Sequence, residues 1–172
     1  MSDRTLTGTG NYFEDFTPGL VIRHSRGKTI EALENVFITN LVMNTADGHF
    51  NEHAMQQTPF KTRIVFGGVT ISIVIGLAAQ DTAENAIAEL SMTGVRLKHP
   101  VVHGDTLYAF SEVIATETSD RADAGIVRFR HWGINQDDNV VFEAERRVLM
   151  RRRPTSERRT STGRFTRTSA PP

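Results

Sequence analysis

The chain alternates between two hydrophobic rhythms. Leu33, Val36, Phe37 and Leu41 recur at helical spacing, which marks one apolar face. With Thr29 as N-cap they predict a helix from about Ile30 to Met43. A short helix over Asn51 to Gln57 follows, ended by Pro59. Gly67–Gly68 then opens an apolar run from Val69 to Ala79. Its Ile, Val and Leu residues lie almost all round the helix axis, which predicts burial inside a sheet wrap. Gly76 inside that helix costs about 1 kcal/mol against Ala, and close approach of another backbone is its expected reason. The rhythm elsewhere is that of strands. Leu20 to Lys28, after the turn Thr17–Pro18–Gly19, forms one. Four more are expected near Ala88 to Lys98, Thr106 to Thr116, Gly125 to Asn135 and Val140 to Arg151. Val127, Phe129 and His131 alternate with Arg128, Arg130 and Trp132, as in a strand buried on one face. Asn135 to Asn139 reads as a hairpin turn. The order of elements is α+β.

Length makes this one domain's worth of chain, at 172 residues. Two ends stand apart in composition. Met1 to Asn11 is polar and rich in Gly and Thr, and is expected to be a loose arm. Pro154 to Pro172 is rich in Arg, Ser and Thr with almost no apolar residues, the composition of a disordered tail. The domain proper therefore runs from Tyr12 to Arg153. The chain has no cysteine, which excludes a thiolate nucleophile and any Cys-ligated metal. A formal net charge of zero argues against a dedicated nucleic-acid binder, and the tail arginines read as solubilising. The run Val69 to Ala79 falls short of the roughly 20 residues that span a bilayer. Met1–Ser2–Asp3–Arg4 lacks the apolar core of a secretory signal. The cytoplasm is the expected location.

Candidate chemistry gathers just ahead of the long helix. His49 can move a proton near neutral pH. Gly67–Gly68 would leave backbone N–H groups free at a helix start, where they can hold a developing oxyanion. Asn44 and Asp47 flank His49 on the same loop, and at least one of them is expected to face the site. The asparagine can only orient a water or carbonyl, whereas the carboxylate could exchange a proton. His49–Phe50–Asn51–Glu52–His53 also fits the His-x-x-Glu-His pattern of a zinc hydrolase. Such enzymes need further helices and a distant ligand, so no metal is expected. Lys61, Arg63, Arg96 and Lys98 read as solvated charges, some of them available to phosphate or carboxylate groups. His103 and Asp105 shape a turn to which Gly104 lends backbone freedom.

His49, Met55, Phe60, Ile64, Val65 and Gly67 stand in ungapped register with a known motif. The block resembles that of the MaoC-like (R)-specific enoyl-CoA hydratases and dehydratases. Pro100–Val101–Val102–His103–Gly104–Asp105–Thr106–Leu107 resembles the same family's Pro-Val-x-x-Gly-Asp-x-Leu turn. The resemblance covers roughly Tyr12 to Arg153. It implies a single hotdog fold, an antiparallel sheet wrapped around a long central helix, dimerising edge to edge into a homodimer or higher homo-oligomer. It implies His49 as the catalytic histidine and Gly67 as the oxyanion donor. It implies an acyl-CoA substrate, with no separate cofactor. Departures accompany it. Asn44 stands where the family has a catalytic Asp, Asp47 where it has Pro, Asn51 where it has the Asp after the histidine, and Phe66 replaces a histidine. Asn44–Thr45, together with the Met150 to Pro154 end, resembles a branch acting on mesaconyl- or itaconyl-CoA. The expected reaction is reversible hydration of a trans-2-enoyl-CoA. A hotdog acyl-CoA thioesterase and a non-catalytic acyl-CoA-binding protein are the rival readings.

Overall fold

A computed structural model describes residues 11–154. The arm and tail expected at either end lie outside the described residues, apart from Asn11 and Pro154. Asn11 itself does not belong to a loose arm: it is buried, and its Nδ2 donates to the Asp81 carbonyl at 2.9 Å.

Among the described residues the α-helices and strands are β1 (Val21–Thr29), α1 (Ala32–Leu41), α2 (Glu52–Met55), α3 (Gly67–Thr82), β2 (Ala86–Leu97), β3 (Thr106–Thr118), β4 (Ala124–Ile134) and β5 (Val140–Arg151). The five strands make one antiparallel sheet in the order β1-β3-β4-β5-β2. Alternation along the strands decides which face is covered. Val127, Phe129 and His131 are fully buried, while Arg128, Arg130 and Trp132 lie on the other face. One core cluster forms where Val69 and Val74 of α3 join Leu107, Ala109, Phe142 and Ala144 of the sheet, and a second gathers Phe16, Ile22, Val113, Phe129 and Val148. Asn135 closes the β4–β5 hairpin, its Oδ1 accepting from the amides of Asp137 and Asn139. Gly104 takes φ +92° in the turn before β3, a conformation open to glycine.

Three expectations fail, each for a physical reason. Thr29 is not the N-cap of α1. It ends β1, and its hydroxyl meets that of Thr106 at 2.7 Å. The helix begins after Glu31, whose N–H donates to the Glu34 carboxylate at 2.9 Å. The apolar face of α1 is not its buried face. Leu33, Phe37 and Leu41 are 77%, 64% and 70% exposed, whereas Asn35 and Thr39 are buried. The inward side of the helix carries Asn35 and Thr39, with Ile38 beside them packed against the core. Nor is α3 wrapped all round. Val69, Thr70, Val74, Ala78, Asp81 and Thr82 are buried, but Ile71, Ile73, Ile75 and Leu77 are only half-buried. Gly76 faces that open side, and a Cβ there would meet nothing within 4 Å.

A buried polar chain anchors the far end of α3. His24 Nδ1 lies 2.6 Å from Asp81 Oδ2, and its Nε2 lies 2.7 Å from Ser111 Oγ. Ser111 Oγ in turn lies 2.7 Å from His131 Nδ1. One proton arrangement satisfies every link with both rings neutral. His131 Nδ1–H donates to Ser111, the Ser111 hydroxyl to His24 Nε2, and His24 Nδ1–H to Asp81. Two atoms of the chain are left over, Asp81 Oδ1 and His131 Nε2, the latter a lone pair rather than a stranded N–H. Burial holds both rings below the usual histidine range. It dominates at His24 over the opposing pull of Asp81, and at His131 it is reinforced by the nearby Arg146 charge.

Candidate functional site

The His49 loop begins where α1 stops. Met43 takes the left-handed conformation at φ 59°, and two backbone bonds close the helix end. The Met43 N–H reaches the Asn40 carbonyl at 2.9 Å, and the Asn44 N–H reaches that of Thr39 at 3.0 Å. The chain then forms a tight turn over Asp47–His49. This fixes the ring of His49. Its Nδ1 lies 3.0 Å from the Ile64 carbonyl. A carbonyl only accepts, so Nδ1 carries a proton, and Nε2 is the nitrogen that exchanges one. The Phe66 ring packs edge-on against the imidazole at 5.5 Å between centroids.

His49 and Gly67 line one pocket of about 460 Å³. Thr70 from the next turn of α3 joins them, as do Leu97, His99 and Pro100 from the end of β2 and the chain beyond it. Gly67 and Gly68 are the first two residues of α3. Amides there have no partner within the helix and sit at the positive end of its dipole. A Cβ at Gly67 would strike Leu97 Cδ1, so glycine keeps this wall of the pocket close to the helix backbone. The arrangement offers an imidazole and an anion-holding helix start to the same small volume.

Asn44 and Asp47 are not among the pocket's lining residues. The Asn44 Oδ1 accepts from the Ala46 amide at 2.9 Å, and Asp47 Oδ2 accepts from Asn51 Nδ2 at 3.2 Å. Both side chains shape the turn locally. His49 and His53 share no helix: the first ends the Asp47–His49 turn, the second lies in α2. Glu52 is taken up by Arg63, which reaches it through both its backbone N–H and Nε. Arg96 and Lys98 both contact Glu143, at 3.2 and 3.4 Å, and Lys98 also lines the pocket. Asp105 shapes its turn as expected, accepting from the Val102 amide at 2.9 Å.

Sequence reasoning passed over Thr70, His99 and Asn35. Thr70 could have been found, because it lies one turn along the same helix from Gly67. His99 precedes the Pro-Val turn but carries no spacing signal toward His49. Asn35 stands on a different helix, and nothing in the order of residues links it to the site.

Comparison with known proteins gives these residues a setting. Residues 1–152 match a family model described as mesaconyl-CoA hydratase. A β-methylmalyl-CoA dehydratase of Chloroflexus aurantiacus is 34% identical over 162 residues, covering 85% of this chain and 46% of the relative. The crystal structure of a protein from the same organism, described as a MaoC-domain dehydratase, superposes with a TM-score of 0.79. The two are 32% identical, over 86% of this chain and 46% of that one. A Mycobacterium tuberculosis protein described as a double hotdog fold superposes with a TM-score of 0.74. It is 23% identical, over 85% of this chain and 46% of that one. The fold is the hotdog, and the chain spans about half the length of these relatives.

Proposed function

The chain belongs to the mesaconyl-CoA hydratase family, and on that premise we propose that it reversibly hydrates a trans-2-enoyl-CoA thioester with a branched, dicarboxylic acyl group. One observation carries the reading. His49, with its proton fixed on Nδ1 by the Ile64 carbonyl, shares a pocket with Gly67 at the start of α3. In the hydration direction, His49 Nε2 takes a proton from water as the water oxygen bonds to the β-carbon. The π-electrons move toward the thioester, and its oxygen becomes an enolate. That oxygen is held by the Gly67 N–H and the helix dipole; one such donor is worth roughly 3 kcal/mol in the transition state. The enolate collapses as the α-carbon takes the proton from the His49 imidazolium. Atoms balance: water's hydroxyl ends on the β-carbon and its proton on the α-carbon.

The scheme calls on no metal and no cofactor beyond the coenzyme A of the substrate. A single histidine can perform both transfers, which suits a loop where Asn44 and Asp47 are engaged in their own turn. The same pocket would suit a thioesterase, in which water attacks the carbonyl carbon. Incubation with crotonyl-CoA and mesaconyl-CoA separates the outcomes. Loss of the enoyl absorbance is the expected result. Release of free thiol would make the protein a thioesterase, and binding without reaction would make it an acyl-CoA carrier.

The proposal extends to assembly. β2 pairs with β5 alone and exposes Leu90, Met92, Val95 and Leu97, while α3 keeps an open apolar side. The Mycobacterium tuberculosis protein, about twice this length, is described as a double hotdog fold. A second copy of this chain, joined edge to edge, would supply the second hotdog here. Among the described residues no helix is long and apolar enough to cross a membrane, and the proposed setting is the cytoplasm.

A further inference from the structure

The polar inner face of α1 needs an explanation, because a surface helix ordinarily buries its apolar stripe. Asn35 lies at its centre and is 3% exposed. Its Oδ1 accepts from the Phe66 N–H at 2.9 Å, and its Nδ2 donates to the His49 carbonyl at 3.4 Å. Thr39, fully buried one turn on, donates its hydroxyl to the Asn35 carbonyl and lies 3.4 Å from Oδ1. One side chain thus joins three pieces of chain: α1, the loop that carries His49, and the residue that precedes Gly67.

We propose that Asn35 is a positioning residue for the reaction, holding His49 in register with the oxyanion-binding start of α3. The proposal rests on the hydratase reading above. An amide is suited to the task because it offers one acceptor and one donor group without charge. By accepting from Phe66, it fixes the residue on which α3 begins, and so the direction of the Gly67 amide. By donating to the carbonyl of His49, it fixes the backbone from which the imidazole projects. The Ile64 carbonyl then sets the ring. Base and oxyanion donor act on adjacent parts of one thioester. An ångström of relative drift between them can cost about 100-fold in rate without weakening substrate binding.

Two variants test this. Asn35→Leu removes both bonds while filling the space. Asn35→Asp keeps the acceptor for Phe66 but loses the donor to His49. The expected order of kcat, per mole of folded protein, is wild type above Asp above Leu. The Leu variant should fall about 100-fold and the Asp variant about 10-fold, with KM changed less than threefold. A second reading needs no turnover. Nitrogen chemical shifts of His49 in the unliganded protein should report one tautomer, protonated on Nδ1, and a mixture of tautomers in the Leu variant. That measurement separates the two hypotheses, because wild-type protein without hydratase activity overturns the function but leaves the tautomer test standing. Folded variants with wild-type kcat and a single His49 tautomer would overturn the positioning role. So would loss of the fold in both variants, which would make Asn35 a structural residue alone.

Discussion

His49 carries a prediction with few ways to escape it. Its imidazole is half-buried at the pocket wall and contributes little to the core, so His49→Ala should leave the fold intact. Turnover should fall about 10² to 10⁴-fold, the usual worth of a general acid–base group, in a crotonyl-CoA assay on protein checked by circular dichroism. Near-wild-type turnover would remove His49 from the mechanism. The two flanking residues supply a second test. Asp47 is exposed and bonded to Asn51, so Asp47→Asn should be nearly silent in kcat. Asn44→Asp retains the oxygen that accepts from Ala46 and should keep measurable activity with an altered pH profile. A loss of about 100-fold at Asp47 alone would instead make that carboxylate the acid.

Among the elements, α3 is held differently at its two ends. Its start meets the Asn35 amide; its end is anchored by the Asp81–His24–Ser111–His131 chain. The anchor makes stability depend on pH in a defined sense. Both histidines are held below their ordinary value in the folded state, so the unfolded chain binds more protons as pH falls. Their contribution is complete above about pH 6.5, the unfolded value, and is lost progressively below it. The carboxylates held low, among them Glu34, Glu52 and Glu143, act only in a more acidic range. Thermal midpoints at pH 7.5 and 5.5 should therefore differ, with the lower value at pH 5.5. Equal midpoints would mean that the rings are already charged in the fold. Ser111→Ala would strand two buried ring nitrogens at about 1–3 kcal/mol each. Its midpoint should fall clearly at either pH.

For the molecule as a whole, the proposed second copy should show itself in mass. Light scattering on the purified chain is expected to give twice the monomer value or more. Leu90 is an exposed apolar residue on the open strand β2. Leu90→Lys should shift the population toward monomer, because a charge there must be desolvated on pairing. A monomeric wild-type protein would show that the open strand stays unpaired. Most of the architecture was legible beforehand. All five strands appear within two residues of their expected bounds, because period-two alternation is a local property of the chain. Both helix starts that mattered were found less evenly: Gly67 opens α3 as expected, whereas α1 begins three residues beyond Thr29. Hydrogen-bond partners of that kind depend on which residues the sheet has already claimed.

By itself the sequence determined the strands, the long helix that Gly67 opens, and the pairing of His49 with Gly67 as the candidate chemistry; the antiparallel wrap came from the family resemblance, and the strand order from the structure. The strands, the helix and that pairing follow from short-range rules: alternation, glycine at a helix start, a titratable ring in a fixed spacing. Only the tertiary structure decided which face of α1 turns inward. Its apolar stripe predicted the wrong side, since burial there is decided by what the neighbouring surface demands. That surface includes the His49 carbonyl and the Phe66 amide, groups that must be hydrogen-bonded once water is excluded. An asparagine far away in sequence meets them, and that contact exists only after the chain has folded.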